Sequence, residues 1–355
     1  MSVKMEMIQA WLSDTQAAPA ALVLRESLIP VEGPDAVLFP PTFAGGDDFA
    51  GGYNIDNFGA GRNVCIVDSV GSQANRIEPL FSRETYNKLV PQIVIKAGEK
   101  SVNLLEAGHR AGDAIVRCTA LKDELHNAFQ ALLMGDAAPL ATISPTSLIF
   151  GVWDSRDTQA KAPRLIASTI RAYDVRKLTR SAVYMPPVNY VNAGLLEEPG
   201  DKKKEKEYSS RGFQHAPASA SHGGVIADGG IRREATLHMA VLRTLVTTDP
   251  EKAKKLQQYL LGLALTAFTA PLSGYLRQGC NLVSNPELAI ECNAVFSDGR
   301  REPLTFGHQD ALEFAQRAAA AYGVGASREV DFDKELAKTE VAESEKKADK
   351  KKGKK

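Results

Sequence analysis

The chain has 355 residues, with 43 Lys and Arg against 43 Asp and Glu. That length can bury a substantial core, and a balanced charge excludes a protein drawn to polyanions as a whole. With 44% hydrophobic and 24% charged residues, the composition also excludes a disordered or fibrous chain. No run of about eighteen apolar residues occurs, and MSVKMEMIQAWL lacks the basic-then-apolar pattern of a signal peptide, so a cytoplasmic protein is expected.

Charge is nevertheless uneven. From Lys346 to the end there are seven lysines and one acid. Between Ser144 and Arg180 seven Lys and Arg stand against three Asp. Any anion-binding surface must therefore be a local patch. Cys65, Cys118, Cys280 and Cys292 lack CxxC or short Cys/His spacings, which points to buried thiols rather than a zinc site or disulfides.

In chain order, Val3 to Leu12 suits a short amphipathic helix and Ala20 to Val31 a strand ended by Pro30 and Gly33. Residues 34 to 61 are crowded with Pro, Gly, Asp and Asn, the composition of a long excursion from the core. NVCIVD (Asn63 to Asp68) reads as a buried strand running into SVGSQANRIE (Ser69 to Glu78), a helix until Pro79. The free N–H groups at that helix start favour phosphate, and Ser72, Gln73, Asn75 and Arg76 extend the polar site. No GxxxxGK accompanies it, so a nucleotide-hydrolysing P-loop is not expected.

Gln92 to Lys96 reads as a strand, and Leu104 to Leu121 and Asp123 to Met134 as helices. His109 and His126 lie within them without metal-ligand spacing. SLIFGVWDSRDTQAKAPRLIASTIRAYDV (Ser147 to Val175) then sets two strand-like runs, Leu148 to Trp153 and Ser168 to Val175, around a connection carrying Arg156, Lys161 and Arg164. Trp153 closes the first run, and Arg171 and Tyr173 share one face of the second.

The lysine cluster at 202–206 must be exposed, and the glycine pairs around His222 and Asp228 permit close approach to a ligand backbone. Arg232 and Arg233 are expected to open a helix over Glu234 to Val246, where their charge opposes the macrodipole unless a polyanion binds. His238 falls on that helix's apolar stripe, as a core residue. Asp249–Pro250 signals the start of a further helix buried on more than one side. Cys280 to Val283 and Leu288 to Phe296 suit strands, and Gln309 to Tyr322 a last helix. The Lys/Glu-rich sequence of 327–355 suits a disordered tail.

Three ordered motifs, Ser147 to Val175, DSVGSQANRIE (Asp68 to Glu78) and HGGVIADGGIRREATLHMAVLR (His222 to Arg243), together resemble the Cas-seven-type (RAMP superfamily) crRNA-binding backbone subunit of the type I-G, formerly I-U, CRISPR surveillance complex. The resemblance implies an α+β fold, a modified RRM/ferredoxin-like palm over residues 1–326 with thumb and finger insertions near 34–61 and 186–230. It implies a non-catalytic subunit of a Cascade-like antiviral ribonucleoprotein that forms a helical filament along the crRNA spacer and presents it to a target DNA strand. Partners would be crRNA, further copies of itself, a large subunit, a repeat-end-binding subunit and a recruited helicase-nuclease, with no membrane, cofactor, metal or catalytic residue. Arg76, Arg156, Lys161, Arg164, Arg232 and Arg233 become candidate phosphate contacts, and Ser72, Gln73, Asn75 and His222 candidate backbone or sugar partners.

Two alternatives remain. A metal-dependent RNA-cleaving subunit, as in type III complexes, would use Asp68, Asp154, Asp174 or Asp228. A stand-alone single-stranded RNA-binding protein would need no filament.

Overall fold

A computed structural model describes residues 3–13, 15–271 and 273–342. Its centre is four long strands whose sequence alternates on the pleat. These are β1 (Ala21–Pro30), β2 (Arg62–Asp68), β3 (Ile166–Tyr173) and β4 (Ile231–His238). In β4 the residues Ile231, Arg233, Ala235 and Leu237 are buried while Arg232, Glu234, Thr236 and His238 are not, as period two requires. The spatial order is β1-β4-β3-β2, every neighbour antiparallel, with Glu26 opposite Arg233 and Arg233 opposite Ile170. Short strands continue this sheet at both sides, among them Ile55–Gly59 beside β2 and Glu291–Val295 beside β1. The fold is α+β.

Helices cover the inward face. They include α1 (Val3–Ala10), α2 (Val70–Ile77), α3 (Lys122–Leu133) and α4 (Pro145–Phe150), then, after the solvent-exposed α5 (Lys202–Ser210) that lies away from this face, α6 (Pro250–Thr269) and α7 (His308–Tyr322). Asp249 caps α6 as expected, accepting from the N–H of Glu251 and Lys252. Leu256, Leu260 and Leu263 are fully buried, and so are Leu261 and Leu265, each contributing roughly 2 kcal/mol. A Cβ on Gly262 would stand 2.7 Å from Ala315 Cα, so this glycine lets α6 and α7 pack backbone to backbone.

The buried apolar residues fall into two clusters. The larger gathers the helices around Leu22, Leu24, Ala235 and Leu237, and the smaller surrounds Leu28, Cys65, Val67, Ile170 and Ile231. Between them, on the same face of the sheet, lie Glu26, Asp68, Ser168 and Arg233, all buried.

The structure departs from the expected elements where an apolar run or a stripe fits two periods. Leu148 to Phe150 belongs to α4, started by Pro145, and only Val152–Trp153 is extended; Gly151, at φ 81°, turns the chain between them. The helix expected over 104–121 is broken by Gly108 and Gly112 into two 3-10 turns and the four-residue helix Ala114–Arg117. The helix expected from Glu234 is β4 followed by a short helix, Met239–Thr244. The macrodipole argument for Arg232 and Arg233 therefore has no helix to act on.

The 34–61 excursion returns to the sheet through Ile55–Gly59. Val175–Tyr184 and Ala216–Ala227 form a long hairpin projecting from the sheet, with the exposed helix α5 in its connection. The sequence after 327 is not all tail. Arg328–Asp331 adds a parallel strand beside Ile93–Ala97, Arg328 forks onto Glu124, and residues 334–342 are helical. Alternation of Val330 with charged neighbours suffices for an edge strand despite the low apolar content. The lysine-rich sequence of 343–355 lies outside the described residues.

Candidate functional site

Helix α2 organises the polar chemistry of the sheet's inward side. Ser69 caps it, Oγ accepting the Ser72 N–H at 3.3 Å, and Pro79 hands the chain to a 3-10 turn, Glu78–Ser82. Helical spacing places Gly71 and Asn75 on one side and Gln73, Arg76 and Ile77 on another. The two sides meet different surroundings.

The Gly71/Asn75 side forms one wall of an open cleft of about 750 Å³. The opposite wall is Gly151 to Trp153 and Lys161 to Arg164. Trp153 is 52% exposed, and Lys161 Nζ sits 4.6 Å from its ring centroid, a cation–π contact. Arg164 passes close to Gly151, where any Cβ would come within 2.7 Å of Arg164 Cγ. Among the described residues neither Lys161 nor Arg164 has an acidic partner. The cleft therefore offers two cations without acidic partners beside an exposed tryptophan, which suits a phosphodiester backbone.

Arg110 closes the floor of the cleft and is itself buried. Its Nε lies 2.6 Å from Glu78 Oε2, Nη1 donates to Gly151 O at 3.2 Å, and Nη2 donates to Asn75 Oδ1 at 3.3 Å. The Phe150 ring is 5.5 Å away. Burial pushes the Glu78 carboxyl up to about 7, with the Arg110 charge opposing. Burial likewise pulls Arg110 below its ordinary value.

On its other side α2 reaches into the buried polar layer. Gln73 Nε2 donates to Asp68 Oδ2 at 2.6 Å, and Gln73 Oε1 accepts from Ser168 Oγ at 3.0 Å. Asp68 also accepts from Arg76 Nε at 3.0 Å and Arg277 Nη2 at 3.1 Å. Arg233 pairs with Glu26 at 3.4 Å and donates to Ser168 at the same distance. Three guanidinium groups thus enclose two carboxylates, joined through Gln73 and Ser168.

Of the ten residues expected to contact RNA, the cleft brings together Asn75, Lys161 and Arg164, with Ser72 in the adjoining turn of α2. Gln73 and Arg233 are corrections: they are 1% and 3% exposed, with hydrogen bonds made internally. Arg76 keeps a side chain 34% exposed but gives Nε to Asp68. Arg156 lies apart, in a second cavity of about 970 Å³, near Glu340 at 3.9 Å. His222 sits on the hairpin with its ring edge-on to Tyr53. Arg232 stacks 4.0 Å above Tyr173 on the outward face of the sheet. Sequence reasoning missed Arg110 and Glu78. Its only signal was an arginine between two glycines, Gly108 and Gly112.

The four aspartates considered for catalysis are each engaged locally. Asp68 anchors the polar layer, Asp154 accepts from Thr158 N and Oγ1, Asp174 accepts from the Asn63 N–H, and Asp228 forks with Arg176. Among the described residues no three His, Cys, Asp or Glu groups are placed to hold a metal ion.

Residues 22–177 match the family model described as CRISPR-associated protein GSU0053. Over that stretch, less than half of its length, the chain is similar to a CRISPR-associated protein. The match spans β1 to β3, α2 and both walls of the cleft, and stops at the base of the hairpin, short of the His222 to Arg243 motif. A comparison with curated proteins found no match. No described helix is long and apolar enough to cross a membrane.

Proposed function

We propose that this chain is the non-catalytic, guide-RNA-binding backbone subunit of a type I CRISPR effector complex, of the Cas-seven type found in type I-G systems. In this reading the sheet and its helices are the palm, the projecting hairpin with α5 is the thumb or finger element, and copies line up along the crRNA spacer. The α2 cleft takes the sugar–phosphate backbone, leaving bases free to pair with target DNA. A large subunit, a repeat-end-binding subunit and a helicase-nuclease complete the complex.

The observation that carries this reading is the pair Lys161 and Arg164, without acidic partners, set beside exposed Trp153 and α2 inside the segment that matches the CRISPR-associated family. The local engagement of Asp68, Asp154, Asp174 and Asp228 supports a binding role over hydrolysis. The test is purification of the chain with its nucleic acid from cells carrying a CRISPR array. RNA of discrete guide length, bound cooperatively with a stoichiometry that grows with RNA length, is the expected result. Length-independent binding by single chains would favour a stand-alone RNA-binding protein instead. Magnesium- or manganese-dependent cleavage of a complementary strand, lost on one Asp→Ala change, would overturn the non-catalytic assignment.

A further inference from the structure

Arg110 touches both walls of the cleft and the segment behind it. One nitrogen donates to Asn75 of α2 and another to the Gly151 carbonyl of the facing turn, while Nε stands 2.6 Å from the Glu78 carboxylate as an ion pair out of line for a hydrogen bond. A planar guanidinium with five donors can serve these three directions at once, which an ammonium group cannot do from one position. The backbone of Arg110 is left-handed, at φ 53°. A non-glycine residue persists there only where its surroundings over-determine it, and such positions cluster at binding sites.

The Glu78 side of the contact is poorly built for stability alone. Glu78 is 1% exposed and its Oε1 has no hydrogen-bond partner among the described residues. The buried Thr146 hydroxyl lies near enough to favour the Glu78 charge, without the geometry of a full hydrogen bond. A buried ion pair is weak evidence of net stabilisation, since well-packed apolar residues often do as well. Its evident effect is electrostatic: Glu78 offsets a cation that faces the cleft floor next to Arg164.

We propose that Arg110 is a positioning residue of the cleft, fixing α2 against the Gly151 turn, and that Glu78 sets how much of the Arg110 charge a bound phosphodiester backbone meets. The proposal rests on the reading of the cleft as an RNA-backbone site. Arg110 sets the width of the cleft, and Glu78 tunes its affinity downward.

The experiment measures binding of a single-stranded oligouridylate to the full chain across a range of salt, with thermal unfolding followed in parallel. At pH 8, where the Glu78 carboxyl raised to about 7 is mostly ionised, Glu78→Gln keeps the shape and removes the offsetting charge. It should bind RNA roughly three- to tenfold more tightly, with a salt slope steeper by up to about 0.7. A purely structural pair would give no gain. Arg110→Lys keeps the charge but not the bridge, and should weaken binding with the salt slope retained. Unchanged or weaker binding by Glu78→Gln, or unchanged affinity of Arg110→Lys, overturns the proposal. The parent reading fails differently: charge reversal at Lys161 and Arg164 would then leave RNA affinity intact.

Discussion

The two sides of α2 use the same side-chain types to opposite ends. Toward the sheet, Gln73 and Arg76 join Asp68, Ser168, Arg233 and Glu26 in a layer that is mostly sealed, where every carboxylate has a guanidinium within 3.4 Å. Toward the cleft, Asn75 faces Lys161 and Arg164, which have no acid between them. Charge in the first setting is spent on joining two apolar clusters across one sheet face; in the second it is available to a ligand. An arginine's type and motif therefore say little about its role until its acidic partners are counted.

The comparison breaks most sharply at Arg233. Arg233→Ala should leave Glu26 as an uncompensated buried charge and destabilise the fold by about 3–5 kcal/mol, visible as a large drop in the urea midpoint. Replacing the pair together, Arg233→Met with Glu26→Leu, should recover most of that loss. If Arg233→Ala instead folds normally and loses RNA, the sealed layer is a binding surface after all.

At the cleft the expected pattern is reversed. Lys161→Glu with Arg164→Glu should lower RNA affinity by about tenfold or more and reduce the salt slope by roughly 1.4, for two phosphates released. Stability should change by less than about 0.5 kcal/mol per site, as for other exposed positions. Loss of affinity that does not discriminate between RNA sequences would fit backbone contacts; a changed sequence preference would mean that bases are being read.

Much of this division was legible in the chain and part was not. The strand run of Ala20 to Val31 ended by Pro30 and Gly33, the apolar run of Asn63 to Asp68, the Asp249–Pro250 cap and the Ser69 start of α2 are local signals, and the elements formed there. The Lys161 to Arg164 patch could also be found as charge in excess of acid. The pairing of Arg233 with Glu26 joins residues more than two hundred positions apart through the β1–β4 register, and no window in the sequence holds both. Taking Glu234 onward as a helix hid that register, because Ile231, Arg233, Ala235 and Leu237 share a face only at period two. Arg110 was obscured for a related reason: a single helix over 104–121 passes through Gly108 and Gly112, whereas these glycines flank a strained turn whose partners come from α2 and Gly151.

Arg232 gives the smallest expected effect and the finest test. It neighbours Arg233 on β4, so its side chain emerges on the other face of the sheet, away from α2, where it lies 4.0 Å from the Tyr173 ring and opposite Ser27 and Arg171. Tyr173 is held by Glu234, which Arg25 and Arg171 also approach, so acid and base are mixed on this surface. Arg232→Ala should cost about 0.5–1 kcal/mol of stability through the lost cation–π contact and leave the salt slope of RNA binding unchanged. A slope reduced by about 0.7 would show that a phosphate reaches the outward face. The guide would then wrap around the sheet edge rather than lie in the cleft alone, and the contrast between the two sides of α2 would have to include a third surface.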